Sequence, residues 1–167
     1  MKREIFQAFV LKFEAELAAM MESAKAAHEA ATHEEYKAED SHDTRGIEAS
    51  YLAGAQAARA AELRNVILEY KALAAEGERH CATAAVGALV KVQPLLSEED
   101  PKPRGTAISA VVAVRGGGTQ VELDGITYSV FTPNSPIGEG ILGAIPGEEL
   151  VIESKGGNRA YRVVSVL

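Results

Sequence analysis

Glu76-Gly77-Glu78-Arg79-His80-Cys81-Ala82 is the stretch at which the chain changes character. Upstream of it lie only two glycines, Gly46 and Gly54, no proline, and an abundance of alanine and glutamate. From Gly77 onward come all six prolines, thirteen of the fifteen glycines and most of the valine. A helical half followed by a strand-rich half predicts a segregated α+β chain rather than an alternating parallel sheet. The expected division is residues 1–78 and residues 79–167.

Moving upstream, the period is helical. Phe6, Val10, Phe13, Leu17, Met20, Ala24, Ala27 and Ala31 alternate in steps of four and three, the spacing of a heptad seam. Ala49, Ala53, Gln56, Ala60, Leu63, Ile67, Tyr70 and Ala74 repeat the pattern. Between the two seams, Ser41-His42-Asp43-Thr44-Arg45-Gly46 is rich in turn and capping residues. The spacing predicts an antiparallel coiled-coil hairpin with helices over 2–39 and 45–76, its tip near 39–46. At ~1.5 Å per residue the arms would be roughly 45–55 Å long. Large side chains crowd the base of the seam and alanine fills its far end, which predicts a slender far end with little apolar burial, either a probe that reaches into something or an alanine-rich surface hairpin.

Moving downstream, short apolar runs alternate with turn signals. Strands are expected over 88–92, 107–114, 118–123, 126–131, 150–153 and 161–166. Arg115-Gly116-Gly117-Gly118 and Asp124-Gly125 read as hairpin turns. Residues 136–144, after Asn134-Ser135 as candidate caps, read as one short helix, and residues 97–105 as a loop. The expectation is a small antiparallel sheet carrying one helix.

Composition narrows the function. With 47% hydrophobic and 25% charged residues the chain is globular rather than disordered. A net charge of −7 disfavours a protein that binds by neutralising nucleic-acid phosphates. No apolar run approaches the ~20 residues of a membrane span, and Met1-Lys2-Arg3-Glu4 opens without a signal-peptide pattern. One cysteine, Cys81, excludes an internal disulfide. A cytoplasmic protein without membrane contact is expected.

Between Glu29 and Glu48 stand seven acids (Glu29, Glu34, Glu35, Glu39, Asp40, Asp43, Glu48) against Lys37 and Arg45. Asp40 and Asp43, or Glu39 and Asp43, can aim two carboxylates the same way, the donor type Mg²⁺ takes while keeping waters. Two protruding carboxylates hold Mg²⁺ weakly, so a useful site would be shared with a partner. His28 and His33, five apart, leave one helical face and lack a zinc-protease pattern. Gly138-Glu139-Gly140-Ile141-Leu142-Gly143 matches the dinucleotide glycine fingerprint, but no βαβ unit surrounds it. Those glycines are expected to allow close packing, and no small-molecule cofactor is expected.

Asn134-Ser135-Pro136-Ile137-Gly138-Glu139-Gly140-Ile141-Leu142-Gly143-Ala144-Ile145-Pro146-Gly147-Glu148-Glu149-Leu150-Val151 resembles the C-terminal signature of the Gre transcript-cleavage factors of bacterial RNA polymerase. Gly156-Gly157-Asn158-Arg159-Ala160-Tyr161-Arg162-Val163-Val164 and Val86-Gly87-Ala88-Leu89-Val90 resemble the closing and opening strands of the same domain. Tyr51-Leu52-Ala53-Gly54-Ala55-Gln56 is similar to part of the family's second helix. The resemblance implies an FKBP-like C-terminal domain that docks at the rim of the polymerase secondary channel. It implies contact there through Ser135, Pro136, Ile137, Gly138, Ile141 and Leu142. It further implies a hairpin that enters the channel, where Asp40 and Asp43, with Glu39 as a further candidate, share a catalytic Mg²⁺ with the polymerase. The factor would act on the nascent RNA 3′ end indirectly, completing the polymerase active site rather than being an enzyme itself.

The tip departs from the family pattern, an Asp and a Glu three apart followed by Asn-Ala-Glu-Tyr. Here Asp43 stands for the Glu, and Ile47-Glu48-Ala49-Ser50-Tyr51 follows with a register one residue longer. Asp in place of Glu retracts a carboxylate by roughly 1.5 Å, a large step for near-attack positioning. Two alternatives therefore stand beside cleavage stimulation. One is a channel-binding regulator or inhibitor without cleavage activity. The other is an unrelated adaptor joining partners through an FKBP-like domain and a coiled coil.

Overall fold

The computed structural model describes residues 1–32, 45–77, 80–153 and 157–167. Two long helices come first, α1 (Lys2–Thr32) and α2 (Arg45–Ala75). Residues 33–39, expected to continue the first helix, lie outside the described residues. Neither helix contains proline, and alanine, glutamate and leucine give both a high intrinsic propensity. α2 stops where the chain changes character. After the Glu76 N–H donates to the Ala72 carbonyl (3.1 Å), Gly77 takes φ +70°, the left-handed conformation that closes helices.

The chain forms two compact units, one of Val10–Tyr70 and one of Met1–Phe9 with Lys71–Leu167. In the first of these the arms run antiparallel. Phe13, early in α1, meets Tyr70, late in α2, edge to face at 5.1 Å. Val10, Phe13, Leu63, Val66, Ile67 and Tyr70 are buried there. The expected seam is traced by Leu17, Met20, Ala24, Gln56 and Ala60, but these are only half-buried, and Ala53 is exposed.

The other unit is built on a six-stranded sheet: β1 (Leu89–Pro94), β2 (Ile108–Val112), β3 (Gln120–Leu123), β4 (Ile126–Phe131), β5 (Glu149–Ile152) and β6 (Arg159–Val166). Their spatial order is β3-β4-β2-β1-β6-β5. The short helix α3 (Pro136–Ile141) packs on β5, where a Cβ on Gly140 would lie 2.9 Å from Ile152. Val90, Val92, Ala110, Val112, Phe131, Ile141, Tyr161 and Val163 belong to one core cluster. Leu89, Val111 and Val130, of opposite parity on the same strands, are buried on the other face. The feet of the two long helices contribute to this unit. Ile5, Phe6 and Phe9 are fully buried, Leu73 lies 3.1 Å from where a Cβ on Gly87 would sit, and Lys2 Nζ donates to the Leu167 carbonyl (3.4 Å).

The sheet is mostly antiparallel, as expected, with one parallel pair. β2 and β4 pair in parallel, Ser109 opposite Tyr128 through Val112 opposite Phe131. Arg115–Gly118 is a turn, but it does not join neighbouring strands. Gly116 and Gly118 take φ +79° and +80°, the Gly118 N–H donates to the Val130 carbonyl, and the Val130 N–H donates to that of Thr119. The chain thereby passes over a vacant slot, runs as β3, and returns into that slot as β4. Burial explains the choice, because β4 ends in an apolar run suited to a central position whereas β3 buries only Val121. The Asp124-Gly125 hairpin forms as expected, with φ +53° and +74°.

A second irregularity lies in β6. Val92 pairs with Val163 but Lys91 pairs with Ser165, so Val164 is an extra, exposed residue in a bulge. The bulge lets Val163 and Val166, three apart, face the same core.

Candidate docking surface

The segment from Thr132 to Glu148 is held by its own backbone. Ser135 caps α3: its Oγ accepts from the Gly138 N–H (3.1 Å) and donates to the Thr132 carbonyl (2.8 Å). The Ser135 N–H donates to the same carbonyl (2.9 Å), closing the turn before the helix. Pro136 takes the first helical turn, where its missing N–H costs nothing. Gly138 is obligatory here, because a Cβ would stand 1.9 Å from the Thr132 carbonyl oxygen. Gly138 and Gly140 of the pattern that mimics a dinucleotide fingerprint thus serve close packing, as expected, whereas the third glycine, Gly143, has open space around it.

α3 is shorter than the expected span 136–144. Leu142 leaves helical geometry (φ −59°, ψ 128°), and Gly143 turns the chain at φ +83°. Gly143 N–H then donates to the Ala84 carbonyl (2.8 Å), and Ala84 N–H to that of Ala144 (2.9 Å). Beyond, Ile145-Pro146-Gly147-Glu148 forms a turn in which Glu148 Oε2 accepts from the Ile145 N–H (3.0 Å). Gly147 and Glu148 are tied to Val163 of β6.

This scaffold separates the six expected contact residues. Gly138 and Ile141 are buried, Ile141 with no exposure, so the Ile141 side chain belongs to the core. Ile137 is half-buried and packs against the same cluster. Pro136 and Leu142 are exposed, Leu142 at 40%, and Ser135 is half-buried through its capping role. The residue that sequence reasoning passed over is Ile145, 52% exposed on a pinned backbone. Its signal was legible: an isoleucine before proline, between Gly143 and Gly147, has no strand in which to be buried. Leu142 and Ile145 are thus apolar side chains presented to solvent on a backbone that does not have to be ordered on binding.

Glu39, Asp40 and Asp43 lie outside the described residues, as do His33 and His42. Among the described residues no group of three or more His, Cys, Asp or Glu is arranged to hold a metal ion. Cys81 is half-buried and packs on the sheet core. No helix among the described residues is long and apolar enough to cross a membrane.

Comparison with known proteins yields structural neighbours only. No protein-family profile matches the chain, and no curated protein does. Among solved structures, Gfh1 of Thermus aquaticus is 18% identical over 96% of this chain and 94% of its own, with a TM-score of 0.36. GreA factor homolog 1 (Gfh1) of Thermus thermophilus is 17% identical over 95% and 94%, with a TM-score of 0.35. The transcription elongation factor GreA/GreB of Nitrosomonas europaea is 18% identical over 58% of this chain and 78% of its own, at 0.33. These are distant similarities to Gre-type structures, and what the chain does rests on its own residues.

Proposed function

We propose that this chain is a Gre-like transcription factor that binds bacterial RNA polymerase at its secondary channel and stimulates cleavage of backtracked RNA. The observation that carries the reading is the Gre-like segment from Asn134 to Val151. It combines a capped turn, an obligatory Gly138 and a rigid display of Leu142 and Ile145. A helical hairpin whose burial fades away from its base supports the role of a probe. Its acidic segment adds Asp40 and Asp43 as the carboxylates that would share a Mg²⁺ with the polymerase. Two carboxylates are too few to hold that ion alone, so the chain is an auxiliary factor and the site exists only in the complex. The shared ion would supply two-metal hydrolysis of a phosphodiester. Asp40 and Asp43 would orient it at the RNA 3′ end.

A second reading, a channel-binding regulator without cleavage, is favoured by one feature. Asp43 is one methylene shorter than the family's Glu. Incubation with a backtracked elongation complex and Mg²⁺ tests both. Shortened RNA supports the cleavage reading. Binding without shortening overturns it in favour of the regulator, and absence of polymerase binding overturns both.

A further inference from the structure

We propose that the hairpin unit Val10–Tyr70 is built in two zones, with Arg59 as a salt-sensitive clasp at their boundary. On this proposal the distal arm opens reversibly while the root stays closed. The inference stands independently of the function proposed above.

The root holds every buried residue of this unit among those described: Val10 and Phe13 on α1, and Leu63, Val66, Ile67 and Tyr70 on α2. Outward of Phe13 and Leu63 no described side chain is buried. The seam continues only through half-buried Leu17, Met20, Ala24, Gln56 and Ala60, while Met21 and Leu52 are exposed. Stabilisation by burial scales with the apolar area removed from water, so it falls steeply at this boundary. Segments with few buried contacts open locally at far smaller free energy than the whole fold. Helices in proteins draw most of their stability from tertiary packing of one face rather than from propensity, so arms with little burial are weakly held.

At the boundary the Arg59 guanidinium joins the arms. Arg59 Nη2 lies 3.5 Å from Glu16 Oε1 on α1, and Nη1 donates to Glu62 Oε2 at 2.9 Å on its own helix. Removing the arginine leaves two carboxylates on one side of the seam, so repulsion replaces attraction. The Lys25–Glu29 pair (3.8 Å) lies within α1. All three partners of the clasp are about half exposed, with relative exposures of 43–58%. Their attraction is therefore open to screening: the Debye length shrinks from about 10 Å at 0.1 M salt to about 3 Å at 1 M. An exposed pair of this kind shifts an equilibrium by about 1.5- to 5-fold.

Hydrogen exchange read by mass spectrometry on the full chain tests the proposal, at 0.05 M and 1 M NaCl, on the parent and Arg59→Gln. Amides in 17–26 and 52–60 should exchange at least tenfold faster than those in 63–70. High salt should speed the distal amides of the parent by about 1.5- to 5-fold and leave the root and sheet unchanged. Arg59→Gln should accelerate the distal amides at low salt by at least that factor, and high salt, which screens the remaining Glu16–Glu62 repulsion, should then slow them rather than speed them. Equal protection in both zones would overturn the two-zone proposal. Unchanged distal exchange in Arg59→Gln, or loss of protection throughout the chain, would overturn the clasp.

Discussion

Replacing Gly138 with alanine places a methyl group where no room exists. Its Cβ would lie 1.9 Å from the Thr132 carbonyl oxygen, and contacts under 3.0 Å are essentially unknown for real Cβ atoms. The obstacle is backbone, so it cannot rotate away; α3 or the preceding turn has to retreat by at least about 1 Å. The same carbonyl accepts from the Ser135 N–H (2.9 Å) and Oγ (2.8 Å), so its movement also loosens the cap of α3. Overpacking costs about 1–3 kcal/mol. Loss of a serine cap costs about 1 kcal/mol. Together they predict a loss of about 2–4 kcal/mol in the stability of the sheet unit. Gly140→Ala is the internal control, because its Cβ would meet the side chain of Ile152 at 2.9 Å, and a side chain can give. Urea unfolding followed by tyrosine fluorescence and circular dichroism should rank parent, Gly140→Ala and Gly138→Ala in descending stability. Equal midpoints for the two variants would refute the reasoning, since the distinction between a backbone and a side-chain obstacle would then carry no weight.

Ile145→Asp should leave the unfolding midpoint within about 0.5 kcal/mol of the parent, as an exposed site does, yet lower polymerase affinity at least about tenfold. Unchanged affinity in a titration against polymerase would remove this surface from the interface; Ile137 is unsuitable for the test because it packs on the core. Asp43→Asn keeps size and removes charge, so it should abolish stimulated cleavage while leaving binding intact, and a variant that cleaves like the parent would refute the assignment. Burial first, and the nearby Glu69 charge second, push the Tyr70 hydroxyl well above its ordinary value. Its neutral form is therefore favoured by folding: the contribution is fully present below about pH 10, the unfolded value, and lost as pH rises through the folded value. Stability of the parent should fall more steeply above about pH 10 than that of Tyr70→Phe, and superimposable pH profiles would contradict the shift.

What the amino-acid sequence determined by itself is what short-range chemistry decides. The seam through Val10 and Phe13, opposite Leu63, Ile67 and Tyr70, follows from a period set by helix geometry, and those residues are buried. The stop at Gly77, the Asp124-Gly125 hairpin and the Ser135 cap each depend on a few neighbouring atoms, and each formed where it was read. Partner choice does not depend on neighbours. β2 can satisfy its backbone beside β3 or β4, and only the competition for a place buried on both faces puts β4 there, in parallel. Likewise the bulge at Val164, the burial of Ile5 and Phe9, and the division of Ile141 from Leu142 and Ile145 arise when distant segments meet. Periodicity reports which face of an element is apolar. Which apolar side chains become core and which remain available for a partner is decided only when the elements compete for the same interior, because burial is a property of the assembled fold and not of any one segment.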